Sequence, residues 1–170
     1  FALEAAKHFG VDTVAAERAV EKFSGIEHRM EKVGTFRGIT FYNDCIATIP
    51  HAVECAVEAL KNVDTLIFGG MDRGLDYSEF ENYLKKSNIK NLIGTPATGH
   101  KICDKIEGAP SKNVYKAANL DEAVKKAYEV TEKGKICLLS PAASSYNCYK
   151  NFEEKGKHYK KLVREYGKED

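Results

Sequence analysis

The sequence predicts an α/β protein built on a mostly parallel β-sheet. Three observations support this prediction. Two short helical segments come first, two β-rich runs follow around Arg37-Gly38, and apolar runs then alternate with helical segments to the end of the chain. Strands that alternate with helices are typical of βαβ units, in which helices cover both faces of a parallel sheet.

The first 43 residues predict a helical lead-in followed by a β-hairpin. Residues 1–9 and 13–23 have helical spacing, and Asp12 is a suitable N-cap for the second segment. The runs KVGTF and ITFYN are rich in β-forming residues and flank Arg37-Gly38, which predicts a hairpin turn.

Beyond the hairpin, strands and helices alternate regularly. Pro50 is suited to the first turn of a helix, because its missing N–H is not needed there. Helices are predicted at residues 50–60, 77–86, 100–106, 120–132 and 146–166, and strands at 65–70, 91–95, 113–118 and 135–140. Right-handed crossovers between such units give a doubly wound, Rossmann-like sheet.

Composition argues against several classes of partner. The net charge of +1 arises from 26 basic and 25 acidic residues that are mixed along the chain, unlike the basic surface of a nucleic-acid-binding protein. No apolar run approaches the roughly 20 residues that span a bilayer, and no signal peptide is recognisable. We therefore expect a cytoplasmic protein with neither nucleic-acid nor membrane partners.

The cysteines and the C-terminal lysines predict no special chemistry. Five cysteines, an odd number without CxxC spacing, suggest reduced thiols and no metal site. Four lysines alternate with glutamates in the last predicted helix, which suggests a solvated helix face. These lysines are Lys155, Lys157, Lys160 and Lys161.

The beginning of the chain suggests a fragment. It starts at Phe1 without a methionine, and the first residues already have helical spacing with no N-cap before them. We expect the chain to be part of a longer protein.

Ligands of open α/β sheets bind beyond the carboxyl ends of the strands, so the polar residues there are candidate site residues. Asp44 and Thr48 could bind hydroxyls or a carboxylate near a helix N-terminus, or Thr48 could simply cap that helix. Gly69-Gly70 permits a sharp turn, and Arg73 offers a planar fork to a carboxylate or phosphate. The segment matches neither a dinucleotide fingerprint nor a P-loop.

Two further segments are candidates. The small residues 140–145 precede the last predicted helix, where backbone N–H groups could hold an anion, or Ser144 or Ser145 could cap the helix. A serine nucleophile is not predicted, because no GxSxG elbow surrounds these serines. His28-Arg29 follows the helical lead-in and could be either a surface pair or part of a site.

Four segments in this order resemble the C-terminal part of the Mur ligase family, and in particular its D-glutamate-adding branch. They are GIEHRME, YNDCIATIPHA, LIFGGMDRGLDY and LLSPAASSYNCYKNFEEKG. The resemblance implies that residues 1–25 are the trailing helices of a central ATPase domain. Residues 26–170 would then be the Rossmann-like domain that accepts the amino acid.

The resemblance also implies a reaction in peptidoglycan synthesis by a monomeric enzyme. Such ligases use ATP and Mg²⁺ to convert the carboxylate of UDP-N-acetylmuramoyl-L-alanine to an acyl phosphate, which the amine of D-glutamate attacks. The P-loop and the Mg²⁺ ligands belong to the central domain. This chain would therefore contain no catalytic residue and no metal ligand, and we expect it to be inactive alone.

The resemblance implies roles for eight residues, which stand at family positions that bind D-glutamate or ATP. Those at D-glutamate positions are Thr48, Arg73, Ser145, Tyr146 and Phe152. Those at nucleotide positions are His28 near the base, Arg29 near phosphate and Asp44 near the ribose. Ile46 departs from the family pattern, since lysine is common there.

Two alternatives stay open on the sequence alone. A Mur ligase for another amino acid, such as diaminopimelate or lysine, usually carries an Asp-Asn-Pro-Arg-like motif that we do not find. A stand-alone Rossmann-like binding module without ligase activity would explain the missing P-loop. A nicotinamide dehydrogenase is disfavoured, since its glycine fingerprint is missing.

Overall fold

The computed structural model describes residues 1–168, which form one six-stranded sheet with helices on both faces. The strands are β1 (Glu31–Phe36), β2 (Ile39–Asn43), β3 (Val63–Phe68), β4 (Asn91–Gly94), β5 (Asn113–Lys116) and β6 (Ile136–Leu139). The helices are α1 (Ala2–His8), α2 (Thr13–Glu21), α3 (Pro50–Leu60), α4 (Ser78–Lys86), α5 (Thr98–Ile106), α6 (Leu120–Val130) and α7 (Phe152–Tyr166).

The sheet has the strand order β1-β2-β6-β3-β4-β5. Only the β1–β2 pair is antiparallel, and all other neighbours run parallel. The hairpin turn is formed by Arg37 and Gly38, both with positive φ (51° and 83°), as a tight two-residue hairpin requires. The predicted α/β class, the mostly parallel sheet and the hairpin are confirmed.

Side chains alternate between two hydrophobic layers because successive residues of a strand point to opposite faces. In β3, Leu66 and Phe68 pack with α3, α4 and α5, whereas Ile67 packs with α6 and α7. All three are fully buried. A strand buried on both faces accounts for its continuous apolar run.

The helical lead-in packs loosely. Asp12 caps α2 as predicted, since its carboxylate accepts a hydrogen bond from Ala15 N at 2.9 Å. The two helices together bury only Ala16. Across residues 1–168, the helices are too short or too polar to cross a bilayer.

The last helix differs from the prediction in two respects. It begins at Phe152 rather than at residue 146, because Asn151 is the N-cap and accepts a hydrogen bond from Glu154 N at 2.9 Å. Ser144 and Ser145 therefore do not cap it. The solvated lysine face is also wrong for two of its members, since Lys155 and Lys160 are only 4% and 9% exposed.

Candidate functional site

The candidate site lies at the carboxyl ends of three adjacent strands, β2, β6 and β3. The segments that follow them, residues 44–49, 140–151 and 69–77, meet at one edge of the sheet. Each segment carries predicted D-glutamate residues, which are Thr48 in the first, Ser145 and Tyr146 in the second and Arg73 in the third. The strand order thus brings together residues that are far apart in the chain, such as Thr48 and Ser145, which are 97 positions apart.

Backbone hydrogen bonds join the three segments into one surface. The bonds are Ala142 N to Ala47 O (3.0 Å), Gly69 N to Pro141 O (2.8 Å) and Met71 N to Ser144 O (2.7 Å). Peptide groups bonded in this way hold their side chains at fixed relative positions without extra secondary structure. The middle segment, residues 140–151, contacts both of the others.

The glycine pair allows these segments to pack closely. A Cβ at Gly69 would lie 2.2 Å from Thr95 O, and one at Gly70 would lie 2.3 Å from Ser144 O. Gly69 also has φ of 109°, a region that side chains other than glycine rarely adopt. The lack of a side chain at Gly69 and Gly70 therefore lets this segment pack directly against neighbouring backbone.

Arg73 lies on the exposed part of the segment after β3. The neighbouring carboxylate, Asp72, forms an ion pair with Lys101, which lowers the pKa of Asp72. Arg73 itself has no carboxylate partner within salt-bridge distance in residues 1–168. Its guanidinium is therefore available for an anionic ligand.

Ser145, Tyr146 and Phe152 lie along the segment that leads into α7. Ser145 is only 3% exposed, and its hydroxyl has no hydrogen-bond partner among the described residues. A buried hydroxyl without a partner is costly, so this one is poised to bind a ligand or a water molecule. Tyr146 is 68% exposed, and Phe152 is half-buried at the start of α7.

Asp44 and Thr48 follow β2. The Asp44 carboxylate accepts hydrogen bonds from Ser140 Oγ (2.8 Å) and Met30 N (3.1 Å). Burial raises the pKa of Asp44, and these two hydrogen bonds oppose the shift. Thr48 is partly buried, and it does not cap α3, whose N-cap is Ile49.

His28 and Arg29 adjoin Asp44. His28 is 2% exposed, and its Nδ1 accepts a hydrogen bond from Asn43 Nδ2 at 2.9 Å. Its ring makes an edge-to-face contact with Phe152, with centroids 5.9 Å apart. Arg29 is exposed. The residues predicted for the nucleotide and those predicted for D-glutamate are thus contiguous through the contact between His28 and Phe152.

A cluster of potential metal ligands, Glu27, His28 and Glu31, lies beside this contact, with their ligand atoms within 4.8 Å of one another. Lys160 Nζ, however, donates to Glu27 Oε1 (2.7 Å) and Glu31 Oε1 (2.8 Å). The lysine ammonium therefore already supplies the cation that both carboxylates need. The cluster fits an ion-pair network and does not fit a magnesium site.

The sequence did not predict the supporting roles of three residues at the site: Asn43, Ser140 and Lys155. Asn43 and Ser140 are buried and hold His28 and Asp44. Lys155 is buried, and its ammonium donates to Gly69 O at 2.9 Å. Its spacing was a usable signal, because residues 152, 155, 156, 159 and 163 follow the i, i+3, i+4, i+7 pattern of a buried helix face.

Comparisons with known proteins identify the family of this chain. A model of the family described as "Mur ligase, glutamate ligase domain" matches residues 28–143. The UDP-N-acetylmuramoylalanine–D-glutamate ligase of Caldanaerobacter subterraneus subsp. tengcongensis is 43% identical over 155 residues, which is 91% of this chain and 34% of that protein. The chain thus spans about a third of the length of this relative.

Solved structures share the fold at low sequence identity. The UDP-N-acetylmuramate–alanine ligase MurC of Thermotoga maritima aligns with a TM-score of 0.64 and 17% identity, over 96% of this chain and 36% of that one. MurF ligase of Thermotoga maritima, solved in complex with ADP, aligns with a TM-score of 0.63 and 17% identity, over 96% and 37% of the two chains. These structures show the shared fold, and the family match over residues 28–143, more than half of the chain, establishes that the chain belongs to the glutamate ligase domain family of the Mur ligases.

Proposed function

We propose that this chain is the amino-acid-accepting part of an ATP-dependent ligase that adds D-glutamate to UDP-N-acetylmuramoyl-L-alanine in peptidoglycan synthesis. The name of the Caldanaerobacter relative supports this substrate pair. A role in cell shape and division, a cytoplasmic location and a monomeric state are parts of the same proposal. Residues 1–25 would be the trailing helices of a preceding ATPase domain, and residues 26–170 the acceptor domain.

The observation that carries the proposal is a pair of unpaired donors at one edge of the sheet. Arg73 has no carboxylate partner and Ser145 Oγ has no hydrogen-bond partner in the part of the chain that is described. D-Glutamate brings two carboxylates, which need such cationic and hydroxyl donors. Thr48, and the backbone at Tyr146 and Phe152, would complete the pocket.

We place ATP on the surface next to the D-glutamate pocket, at His28, Arg29 and Asp44. Arg29 is exposed and suited to a phosphate. His28 and Asp44 are nearly buried, so only the edges of their side chains would contact the base and the ribose of ATP. The contact between His28 and Phe152 would place the two substrates next to each other.

ATP and Mg²⁺ would be bound mainly by the part of the protein outside this chain. ATP supplies the phosphoryl group that activates the carboxylate of UDP-N-acetylmuramoyl-L-alanine. This chain's contribution is to hold D-glutamate by its carboxylates so that its amine faces the activated carbon, which lowers the entropic cost of the reaction. We assign it no group that transfers protons or forms covalent bonds.

The proposal is tested in the full-length protein that contains this chain. We expect Ser145→Ala and Arg73→Ala each to raise the KM for D-glutamate by about tenfold or more, because each removes a hydrogen bond to a charged group. The KM for ATP should change less. Arg164→Ala, at an exposed position of α7, is the matched control and should leave both values unchanged.

The acceptor identity is tested in the same assay. ADP release that depends on D-glutamate supports the proposal. Release with diaminopimelate or lysine instead would point to a ligase for another amino acid. No release with any acceptor would leave a binding module as the better interpretation, and an unchanged D-glutamate KM in both variants would refute the pocket.

A further inference from the structure

Lys155 is a buried cation that the proposed chemistry does not use. It lies in the first turn of α7, is 4% exposed, and has no carboxylate within salt-bridge distance in residues 1–168. Burial lowers the pKa of Lys155. Burying an ammonium group without a counter-charge costs free energy. Lys155 is therefore not one of the solvent-exposed lysines of α7.

The ammonium of Lys155 has one hydrogen-bond acceptor among the described residues, the carbonyl of Gly69, at 2.9 Å. Gly69 is the first residue after β3 and begins the segment that carries Arg73. The backbone N–H of the same residue donates a hydrogen bond to Pro141 O at 2.8 Å, so the peptide groups on both sides of Gly69 Cα are held. Lys155 therefore fixes the point from which the Arg73 segment leaves the sheet.

The same turn of α7 adjoins the other half of the proposed pocket. Phe152 lies three residues before Lys155, and the segment with Ser145 is joined to the Arg73 segment by the bond from Met71 N to Ser144 O. Lys155 thus connects the start of α7 to the segment after β3, across residues 140–151. A shift of Gly69 would move Arg73 relative to Ser145.

A small cavity of about 50 Å³ adjoins Lys155. Thr95 and Pro96, which follow β4, and Asn119 and Cys148 are among the residues that line it. Neither Arg73 nor Ser145 lines this cavity, which argues against direct contact between Lys155 and the amino acid. The space can accept the extra atoms of a guanidinium group.

We propose that Lys155 is a positioning residue for the amino-acid acceptor. Its hydrogen bond to Gly69 O keeps the Arg73 segment and the start of α7 in register, so that Arg73 and Ser145 reach the carboxylates of one D-glutamate molecule together. This inference rests on the proposed function of the site. It assigns Lys155 no contact with the reacting atoms.

The test uses the full-length protein and three variants. For Lys155→Met we expect the KM for D-glutamate to rise by about tenfold, with kcat falling less than about threefold and the KM for ATP within about twofold, since small displacements weaken carboxylate contacts strongly. Lys155→Arg keeps the cation and should restore the KM to within about threefold of the original. Lys157→Met, two residues further along α7 and exposed, is the control and should match the unchanged protein.

Hydrogen exchange gives a second measurement. In Lys155→Met, amides of residues 69–77 should exchange faster, while those of β3 and β6 stay protected. A folded variant with unchanged D-glutamate KM, or with ATP and D-glutamate KM raised equally, overturns the inference. If Lys155→Met does not fold, Lys155→Gln repeats the test, because its shorter neutral side chain cannot span the same distance. Failure of both to fold would assign Lys155 to folding and also overturn the inference.

The two hypotheses fail in different ways. Without D-glutamate-dependent ADP release from the unchanged protein, the proposed function fails. With such release, and with Lys155→Met indistinguishable from the unchanged protein, only the positioning role fails.

Discussion

Gly156 illustrates how one residue without a side chain determines the packing beside the site. It lies in α7, where an added Cβ would be 2.2 Å from His28 Nδ1 and 3.0 Å from Asn43 Nδ2. Helix propensity alone would favour alanine over glycine by about 1 kcal/mol. The close approach of His28 explains why glycine stands there nonetheless.

We predict that Gly156→Ala destabilises the chain by about 1–3 kcal/mol, because overpacking outweighs the gain in helix propensity. Urea unfolding followed by circular dichroism measures the change. Lys157→Ala, at the next and exposed position of α7, is the control and should change the free energy of unfolding by less than about 0.5 kcal/mol. A variant as stable as the original chain would contradict the clash between a Cβ and His28.

Single residues were also where the sequence was least informative. The lysines of α7 look alike as letters, yet Lys157 is exposed whereas Lys155 is buried. Whether each lysine is buried depends on which face of α7 packs on the sheet. The amphipathic spacing of α7 indicates that face. What spacing could not reveal is that the buried ammonium would meet the carbonyl of Gly69, because that contact spans 86 positions.

At the scale of elements, the start of α7 shows how local signals compete. Ser144, Ser145 and Asn151 are all suitable N-caps. Asn151 is the cap, and Glu154 at the third helical position also accepts a hydrogen bond, from Lys150 N at 2.6 Å. The two serines instead lie in the segment whose peptides bond to the loop after β3, a tertiary contact that propensity cannot predict.

A second link between elements joins β1 to α7 through charge. Glu31, at the start of β1, accepts hydrogen bonds from Lys160 Nζ and from the backbone N–H of His28. Burial tends to raise the pKa of Glu31, but these hydrogen bonds outweigh it, and the net pKa is lowered from its ordinary value of 4.5. The charged form is therefore favoured by folding.

A lowered carboxyl pKa gives stability that is present above the unfolded-state pKa and is lost as the pH falls through the folded-state pKa. We predict that Glu31→Gln destabilises the chain by about 1–2 kcal/mol at pH 7. The difference should shrink as the pH falls below about 4.5. Urea unfolding at pH 7 and at several values below pH 5 measures it.

Glu129→Gln is a useful control for this titration, because Glu129 pairs with Lys126 on the exposed surface of α6. Exposed pairs contribute little, so this change should have a small effect at every pH. A Glu31→Gln deficit that stays constant from pH 7 to pH 3 would show that charge is not the source of the stabilisation.

At the scale of the whole molecule, the alternation of strands and helices was enough to predict the fold class. It could not predict that β6, the last strand in sequence, would insert between β2 and β3. That position depends on long-range packing of two apolar faces, which no local pattern encodes. The insertion is also what brings residues 140–151 between the segments that carry Thr48 and Arg73.

The last prediction concerns the chain as a unit. The 170 residues contain no P-loop sequence, and the proposed acceptor site would bind and orient D-glutamate without supplying a reacting group. Because activation of the carboxylate needs a bound nucleotide triphosphate, we predict that the isolated chain releases no ADP when given ATP, Mg²⁺, D-glutamate and UDP-N-acetylmuramoyl-L-alanine. We also expect weak D-glutamate binding, since Arg73 is exposed and its ordering on the ligand costs free energy that the proposed preceding domain would help to offset. Coupled-enzyme detection of ADP, with the full-length protein as the positive control, measures the first expectation, and calorimetric titration measures the second. Turnover by the isolated chain would mean that a catalytic group lies among these residues. It would contradict the proposal that catalysis needs a domain outside this chain.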